Sequence, residues 1–268
     1  MPRPPARRRP VRHNPRVPRI LLINPNTSEA MTALVLRHAR AELPSDIEIV
    51  PVTARFGATV IASEAAFAVA AHATLDAYAA NPGPWDAVLL ACFGDPALHA
   101  LREISPAPVV AFADAAMSEA AGYGRFAIVT GGARWAPMLT RLAAALGHAA
   151  TLAGVVTLPL DGGQIAANPD AAFAALRAAV EQAVEQYAAQ AVIIGGAGLA
   201  GLAARLQPDA PVPLIDSVLA GARRAGALAR EHASSVAPAA LPRAAGDCIA
   251  TTGLGQELAA LLGKPVQS

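Results

Sequence analysis

Lysine is almost missing from this sequence. Lys264, near the C-terminus, is the only one, so arginine supplies the rest of the positive charge. A pyridoxal phosphate enzyme holds its cofactor as a lysine Schiff base, and a single lysine in a terminal tail is a poor candidate for that role. Cysteine is scarce as well: Cys92 and Cys248 stand far apart in 268 residues. That argues against a disulfide scaffold and fits a reducing compartment, so a cytoplasmic location is expected. No apolar run reaches the length needed to span a bilayer, so no membrane partner is expected. The net charge of +1 gives no electrostatic case for nucleic acid as the main partner. The six histidines show no metal spacing. With no H-x-x-x-H and no C-x-x-C, a zinc site is not expected. His38, His72, His99 and His148 fall in or beside expected helices and read as surface or packing residues. No G-x-S-x-G elbow is present either.

What the chain does have is a buried strand that ends on a cysteine, Ala87-Val88-Leu89-Leu90-Ala91-Cys92-Phe93-Gly94-Asp95-Pro96. The apolar run, the glycine turn and the helical segment from Ala97 to Glu103 place Cys92 at the mouth of a helix. Backbone N–H groups and the helix dipole would favour a thiolate there. Asp95 is close to Cys92 and is the right type to cap the helix that follows. The plainer alternative is that Cys92 is a small core residue.

In chain order, residues 1–18 form an arm rich in proline and arginine with no acidic residue, expected to be disordered. Arg19–Ile23 reads as a strand, followed by Asn24-Pro25-Asn26-Thr27-Ser28 and a helix over 29–42. A loop of amides and hydroxyls at a helix start suits either capping or an anion. Further strands are expected at 47–52, 108–112, 125–129, 155–158 and 211–215. Helices are expected at 63–78, 115–121, 136–146, 170–189, 217–231 and 256–262. Asp161-Gly162-Gly163 reads as a loop, and residues 232–246 read as irregular.

Alternating strands and helices predict an α/β fold with parallel sheets covered on both faces. Three stretches repeat in order at a similar offset. Arg19–Pro25 matches Arg125–Gly131, Ala87–Gly94 matches Ala191–Gly198, and Ala107–Asp114 parallels Ala210–Asp216. This predicts two similar α/β units. The expected division is 19–114, completed by 217–268, and 115–216. The strand ends Asn24, Cys92, Thr130 and Gly196 would then meet in one cleft. A rival reading is Gly196-Ala197-Gly198-Leu199-Ala200-Gly201 with Asp216, which fits a dinucleotide fingerprint. Little chain remains after Asp216 to complete such a fold.

Ile23–Ser28, Ala91–Pro96 and Gly195-Gly196-Ala197-Gly198-Leu199 together resemble the aspartate/glutamate/hydantoin racemase superfamily, with the hydantoin racemase branch the nearest match. The resemblance covers Arg19 to about Arg230. It implies two α/β domains related by a pseudo-two-fold, with the active site between them. It also implies inversion of a carbon next to a carbonyl by two cysteines, with no cofactor and no metal. On that plan Cys92 is the catalytic acid/base, because inversion needs a base on one face and an acid on the other. Asn24, Phe93, Gly94, Thr130, Gly131, Gly196 and Ala197 would bind the substrate. Their backbone N–H groups, with the side chains of Asn24 and Thr130, would stabilise the enolate.

The sequence departs from the family pattern where the second cysteine belongs: that position is Gly196, and a glycine cannot move a proton. Cys248 lies far on and is not expected to fill the gap. Three readings follow: a racemase with water or another side chain on the second face, a one-face enzyme like the arylmalonate decarboxylases of the superfamily, or a binding protein without turnover. Arg134 is the visible cation near the motif loops. So few cations favour a neutral or singly charged ring over a dicarboxylate. The expected partner is a small molecule, with room for a homo-oligomer.

Overall fold

The computed structural model describes residues 16–235 and 251–263. Most of the arm over residues 1–18 lies outside the described residues, as do Cys248, Lys264 and the segment from residue 236 to 250. Strand β1 (Arg19–Asn24) leads to helix α1 (Glu29–Glu42), β2 (Glu48–Thr53), α2 (Glu64–Ala79), β3 (Ala87–Leu90), α3 (Leu98–Ile104), β4 (Val109–Ala111) and α4 (Phe112–Ala121). The same alternation follows in β5 (Phe126–Gly131), α5 (Trp135–Ala145), β6 (Leu152–Leu158), α6 (Gly162–Ala167), α7 (Pro169–Tyr187) and β7 (Ala191–Gly195). After a 3-10 turn at Ala197–Leu199 come α8 (Leu202–Leu206), β8 (Leu214–Asp216), α9 (Ser217–Ser234) and α10 (Gln256–Leu262).

The strands form two four-stranded sheets, in the orders β2-β1-β3-β4 and β6-β5-β7-β8. Every pairing is parallel. The second order is the first with each strand number raised by four, and the three sequence repeats fall on β1 and β5, β3 and β7, and β4 and β8. Two parallel-sheet α/β units of one design are therefore present.

Each central strand is buried on both faces, as a parallel sheet requires. In β1, Ile20 and Leu22 face one core while Leu21 and Ile23 face another. In β5, Phe126 and Ile128 join the first of these cores, while Ala127 and Val129 face a third. One core is thus shared by both sheets, and α1, α4, α5 and α9 contribute to it. Helix α9 lies against β1, β3 and β4 of the first sheet and also meets β7 and β8 of the second.

Small residues make this shared layer thin. Helix α4 buries Ala113, Ala116 and Ala120, and α9 buries Ala220, Gly221, Ala222, Ala225 and Ala229. The abundant alanine is therefore not only compositional: side chains this short let helices approach closely.

Several expected boundaries moved: β6 begins at Leu152 rather than 155, β8 spans Leu214–Asp216 rather than 211–215, and α9 runs on to Ser234, through the start of the segment read as irregular. Residues 161–163 do not stay a loop, because α6 starts at Gly162. A capping box fixes that start: Gln164 N–H donates to the Asp161 carboxylate and Asp161 N–H donates to the Gln164 side chain, both at 2.9 Å. The paired glycines suggested a turn, but the reciprocal cap prevails. Helix α4 begins at Phe112 rather than 115, because a distant carboxylate caps it, as described below.

Gly221→Ala tests the shared core. Alanine normally gains about 1 kcal/mol over glycine inside a helix. Here its Cβ would lie 2.6 Å from the ring of fully buried Phe112. Overpacking of this kind costs about 1–3 kcal/mol. The expected outcome in urea denaturation is a net loss of up to about 2 kcal/mol in place of the usual gain.

Candidate active site

In parallel α/β sheets, ligand sites form at the carboxyl ends of the strands. Here the ends of β1, β3, β5 and β7 open on one cleft. Its walls include Asn26, Met31, Thr59, Val60, Ile61, Cys92, Phe93, Thr130, Gly131, Trp135, Gly162, Gly163, Gly196, Ala197, Gly198 and Leu199. The free volume is only about 70 Å³, room for a few waters. Residues 54–62 are the wall with least regular structure, and Val60 crosses from the first unit to touch Gly163 of the second.

Cys92, Phe93, Thr130, Gly131, Gly196 and Ala197 line the cleft, and Asn24 and Gly94 do not. Asn24 is 1 % exposed and its amide is used inside the loop. Its Nδ2 donates to Asn26 Oδ1 and Thr32 Oγ1 at 2.9 Å, and its Oδ1 accepts from Asn26 N–H. Asn24 shapes the Asn-Pro-Asn-Thr-Ser turn, and Asn26 is the residue of that turn on the wall. Gly94 lies behind Cys92, where an added Cβ would come within 2.6 Å of the Trp135 ring. Arg134 is exposed and stands outside the lining residues.

Met31, Thr59, Val60, Ile61, Trp135 and Gly163 are lining residues that motif reasoning did not reach. No local pattern marks them, because only the folded chain brings residues 59–61 across to α6. Asn26 was the exception, as a polar neighbour inside the motif.

Cys92 is buried, and among the described residues it is the only ionisable side chain on the cleft wall. Burial pushes its thiol above the ordinary range, and the charge of Asp95 pushes the same way. The expectation of a helix-favoured thiolate is therefore corrected. Helix α3 begins only at Leu98, after Asp95 and Ala97 in left-handed conformations. No helix start faces Cys92 closely enough to offset desolvation, so the thiol rests protonated.

Asp95 caps α4 and not the helix that follows it. Its two carboxylate oxygens accept from Ala113 N–H at 2.9 Å and Asp114 N–H at 2.8 Å. The Cys92 carbonyl in turn accepts from the N–H groups of Gly94 and Asp95. Asp95 thus ties the Cys92 turn to the start of α4.

On the opposite wall, Thr130 donates its hydroxyl proton to the Gly195 carbonyl at 2.7 Å, and Gly196 N–H donates to Ser217 Oγ at 3.1 Å. Neither is a free donor. Among the described residues, the N–H groups of Phe93, Ala197 and Gly198 make no bond of this kind within the chain. Gly196 has φ +132°, a backbone that side-chain-bearing residues rarely adopt.

The dinucleotide reading fails on geometry. Asp216 spends one oxygen on Val218 and Leu219 N–H at the start of α9 and the other on Gly201 N–H. No helix of useful length follows the glycines, since α8 spans only Leu202–Leu206. Gly198 is needed for another reason: its Cα packs directly on the Gly162 carbonyl, with no space for a Cβ. Among the described residues, no group of three or more His, Cys, Asp or Glu could hold a metal ion, and no helix is long and apolar enough to cross a membrane.

Two repeated α/β units with a cysteine at the cleft between their strand ends define a class before any comparison is made. Residues 20–225 match the family model described as Asp/Glu/Hydantoin racemase. The chain belongs to that family. A hydantoin racemase from Pseudomonas sp. (strain NS671) is 33% identical over 217 residues, covering 76% of this chain and 83% of that protein. The allantoin racemase structure from Klebsiella pneumoniae superposes with a TM-score of 0.78 at 31% identity, covering 90% of this chain and 98% of that one. That from Pseudomonas fluorescens gives 0.77 at 30% identity, covering 84% and 97%.

Asp95 carries a pH prediction. Burial is the main cause that raises its carboxyl to about 7, against the pull of its N–H partners. The folded state therefore holds this proton more tightly than the unfolded state, where the value is about 3.9. The resulting stability is fully present below about pH 4 and is lost as pH rises through about 7. Relative to Asp95→Asn, the wild type should lose up to about 4 kcal/mol of unfolding free energy between pH 4 and 8. Urea titrations of both proteins across that range measure it. A pH-independent difference would mean that Asp95 titrates alike in both states.

Proposed function

We propose that this chain moves a proton at a carbon next to a carbonyl in a neutral, hydantoin-type ring, without a cofactor, and that Cys92 serves one face of that carbon. The observation that carries the reading is that, among the described residues, Cys92 is the only ionisable side chain on a cleft wall with no charged residue. A dicarboxylate would find no cation there, whereas a ring of amides needs none. The likeness to hydantoin and allantoin racemases supports the same class of substrate.

The chemistry follows from the geometry. The carbon between a ring carbonyl and a ring nitrogen gives up its proton because the charge spreads onto the carbonyl oxygen. The free N–H groups of Phe93, Ala197 and Gly198 are donors for that oxygen. A Cys92 thiolate removes the proton, or the thiol returns one, on its own face. The face beside Gly196 has only Leu199 and the Thr130 hydroxyl near it, and that hydroxyl is bonded to the Gly195 carbonyl, so water serves this face. The buried thiol must first ionise before it acts as a base, so the rate should climb with pH through the neutral range.

A second reading has its own support. A thiol that rests protonated, opposite a glycine, is well suited to deliver a proton to one face of an enolate formed by decarboxylation. Such an enzyme would produce one enantiomer.

Deuterium uptake separates these readings. Each enantiomer of a 5-substituted hydantoin is incubated with the protein in heavy water and followed by NMR and polarimetry against a protein-free control. Uptake with loss of rotation, reduced about 10²–10⁴-fold by Cys92→Ala, is the expected result. Uptake with rotation retained would favour the one-face reading. No uptake above the control would overturn the proposal for hydantoins.

A further inference from the structure

A second cavity, of about 310 Å³, lies on the far side of the Gly198 wall. Leu34, Arg37 and His38 of α1 form one side, and Leu202 and Arg205 of α8 form the other. Gly198, Ala200 and Gly201 make its floor, and Ala166 and Pro169 close its edge. Its chemistry is the reverse of the catalytic cleft's. Among the described residues the cleft wall has no charged residue, whereas Arg37, His38 and Arg205 line this cavity, the Arg205 guanidinium carbon lying 5.0 Å from the centre of the Phe173 ring.

The carboxylates nearby leave Arg37 without a partner among the described residues. Arg205 donates to Asp170 at 2.7 Å, but the two side chains are 48% and 81% exposed. A pair that exposed contributes little and opens at little cost. Asp216 lies beneath the floor, with its oxygens bonded to the N–H groups of Gly201, Val218 and Leu219. Among the described residues, Arg37 has no ion pair within 4 Å. Arg37 is therefore the guanidinium at this cavity that no carboxylate pairs among the described residues.

The cavity is also built where an anion would have structural consequence. The His38 ring sits against Gly201, whose backbone has φ +82° and where an added Cβ would lie 2.6 Å from that ring. The first unit presents Arg37 and the second presents Arg205. A planar or tetrahedral oxyanion accepts paired N–H bonds from a guanidinium, so one ligand could be held from both sides.

We propose that this cavity is a second binding site, for a small oxyanion such as a carboxylate or phosphate, which bridges α1 of the first unit to α8 of the second. Binding there would stabilise the folded chain by mass action. The site does not depend on the proposed activity, since none of its side chains lines the catalytic cleft.

Thermal unfolding and calorimetry of the full chain test it, with malonate and inorganic phosphate as probes and sodium chloride at matched ionic strength as control. A saturable rise in Tm with either probe, absent with chloride, is expected, and the probe that binds more tightly names the oxyanion. Arg37→Ala and Arg205→Ala should each weaken binding at least fivefold. Arg37→Lys should retain part of it, because Lys keeps the charge but not the fork. Cys92→Ala should bind as the wild type does. No saturable response, or the same response in the Arg37→Ala/Arg205→Ala double variant, would overturn the proposal. If deuterium exchange on hydantoins fails while this binding survives, only the functional reading above falls.

Discussion

The structure depends on close approach between its two units at positions where a side chain is missing. The Phe93 ring of the first unit lies directly on Gly195 of β7, and the Trp135 ring of the second lies on Gly94. Within the second unit, Gly198 likewise seats on the Gly162 carbonyl. At each of these seams a β-carbon would displace an aromatic ring or a backbone carbonyl. The aromatic rings supply the buried area and the glycines supply the space. Cys92 stands between two of these contacts, so the seam that joins the units also places the thiol.

That constraint sets the electrostatics of the cleft. A wall of rings and glycines carries no charge and leaves room for few waters, and a cysteine there is costly to ionise. Asp95 adds to the cost because its own carboxylate is buried nearby, held by the N–H groups that begin α4. The same cap that fixes the turn therefore raises the energy of the thiolate. An enzyme with such a site gains from a substrate whose proton is already loosened by ring carbonyls. The charged groups collect instead in the neighbouring cavity between α1 and α8, on the other side of one glycine.

The strands and most helices were legible because their signals are local. The run Ile20–Ile23 has no role except as a buried strand, and Ser28 and Asp216 cap helices with their own side chains. The order of the two sheets followed from a repeat visible in three short stretches. What failed failed for non-local reasons. Asp95 caps a helix that begins seventeen residues after it in sequence, so no window around Asp95 shows its partner. Asn24 reads as a polar site residue, yet its amide is consumed by Asn26, Ser28 and Thr32.

The sequence by itself determined the parallel α/β class and the duplication, and it offered Cys92 as the acid/base candidate. Each of these is a matter of residue type and spacing. Only the tertiary structure decided that the thiol is protonated, that Thr130 and Gly196 have spent their donors, and that Val60 and Trp135 close the cleft. Desolvation and hydrogen-bond commitment depend on what surrounds a group in space, and those neighbours come from strands and loops far apart along the chain.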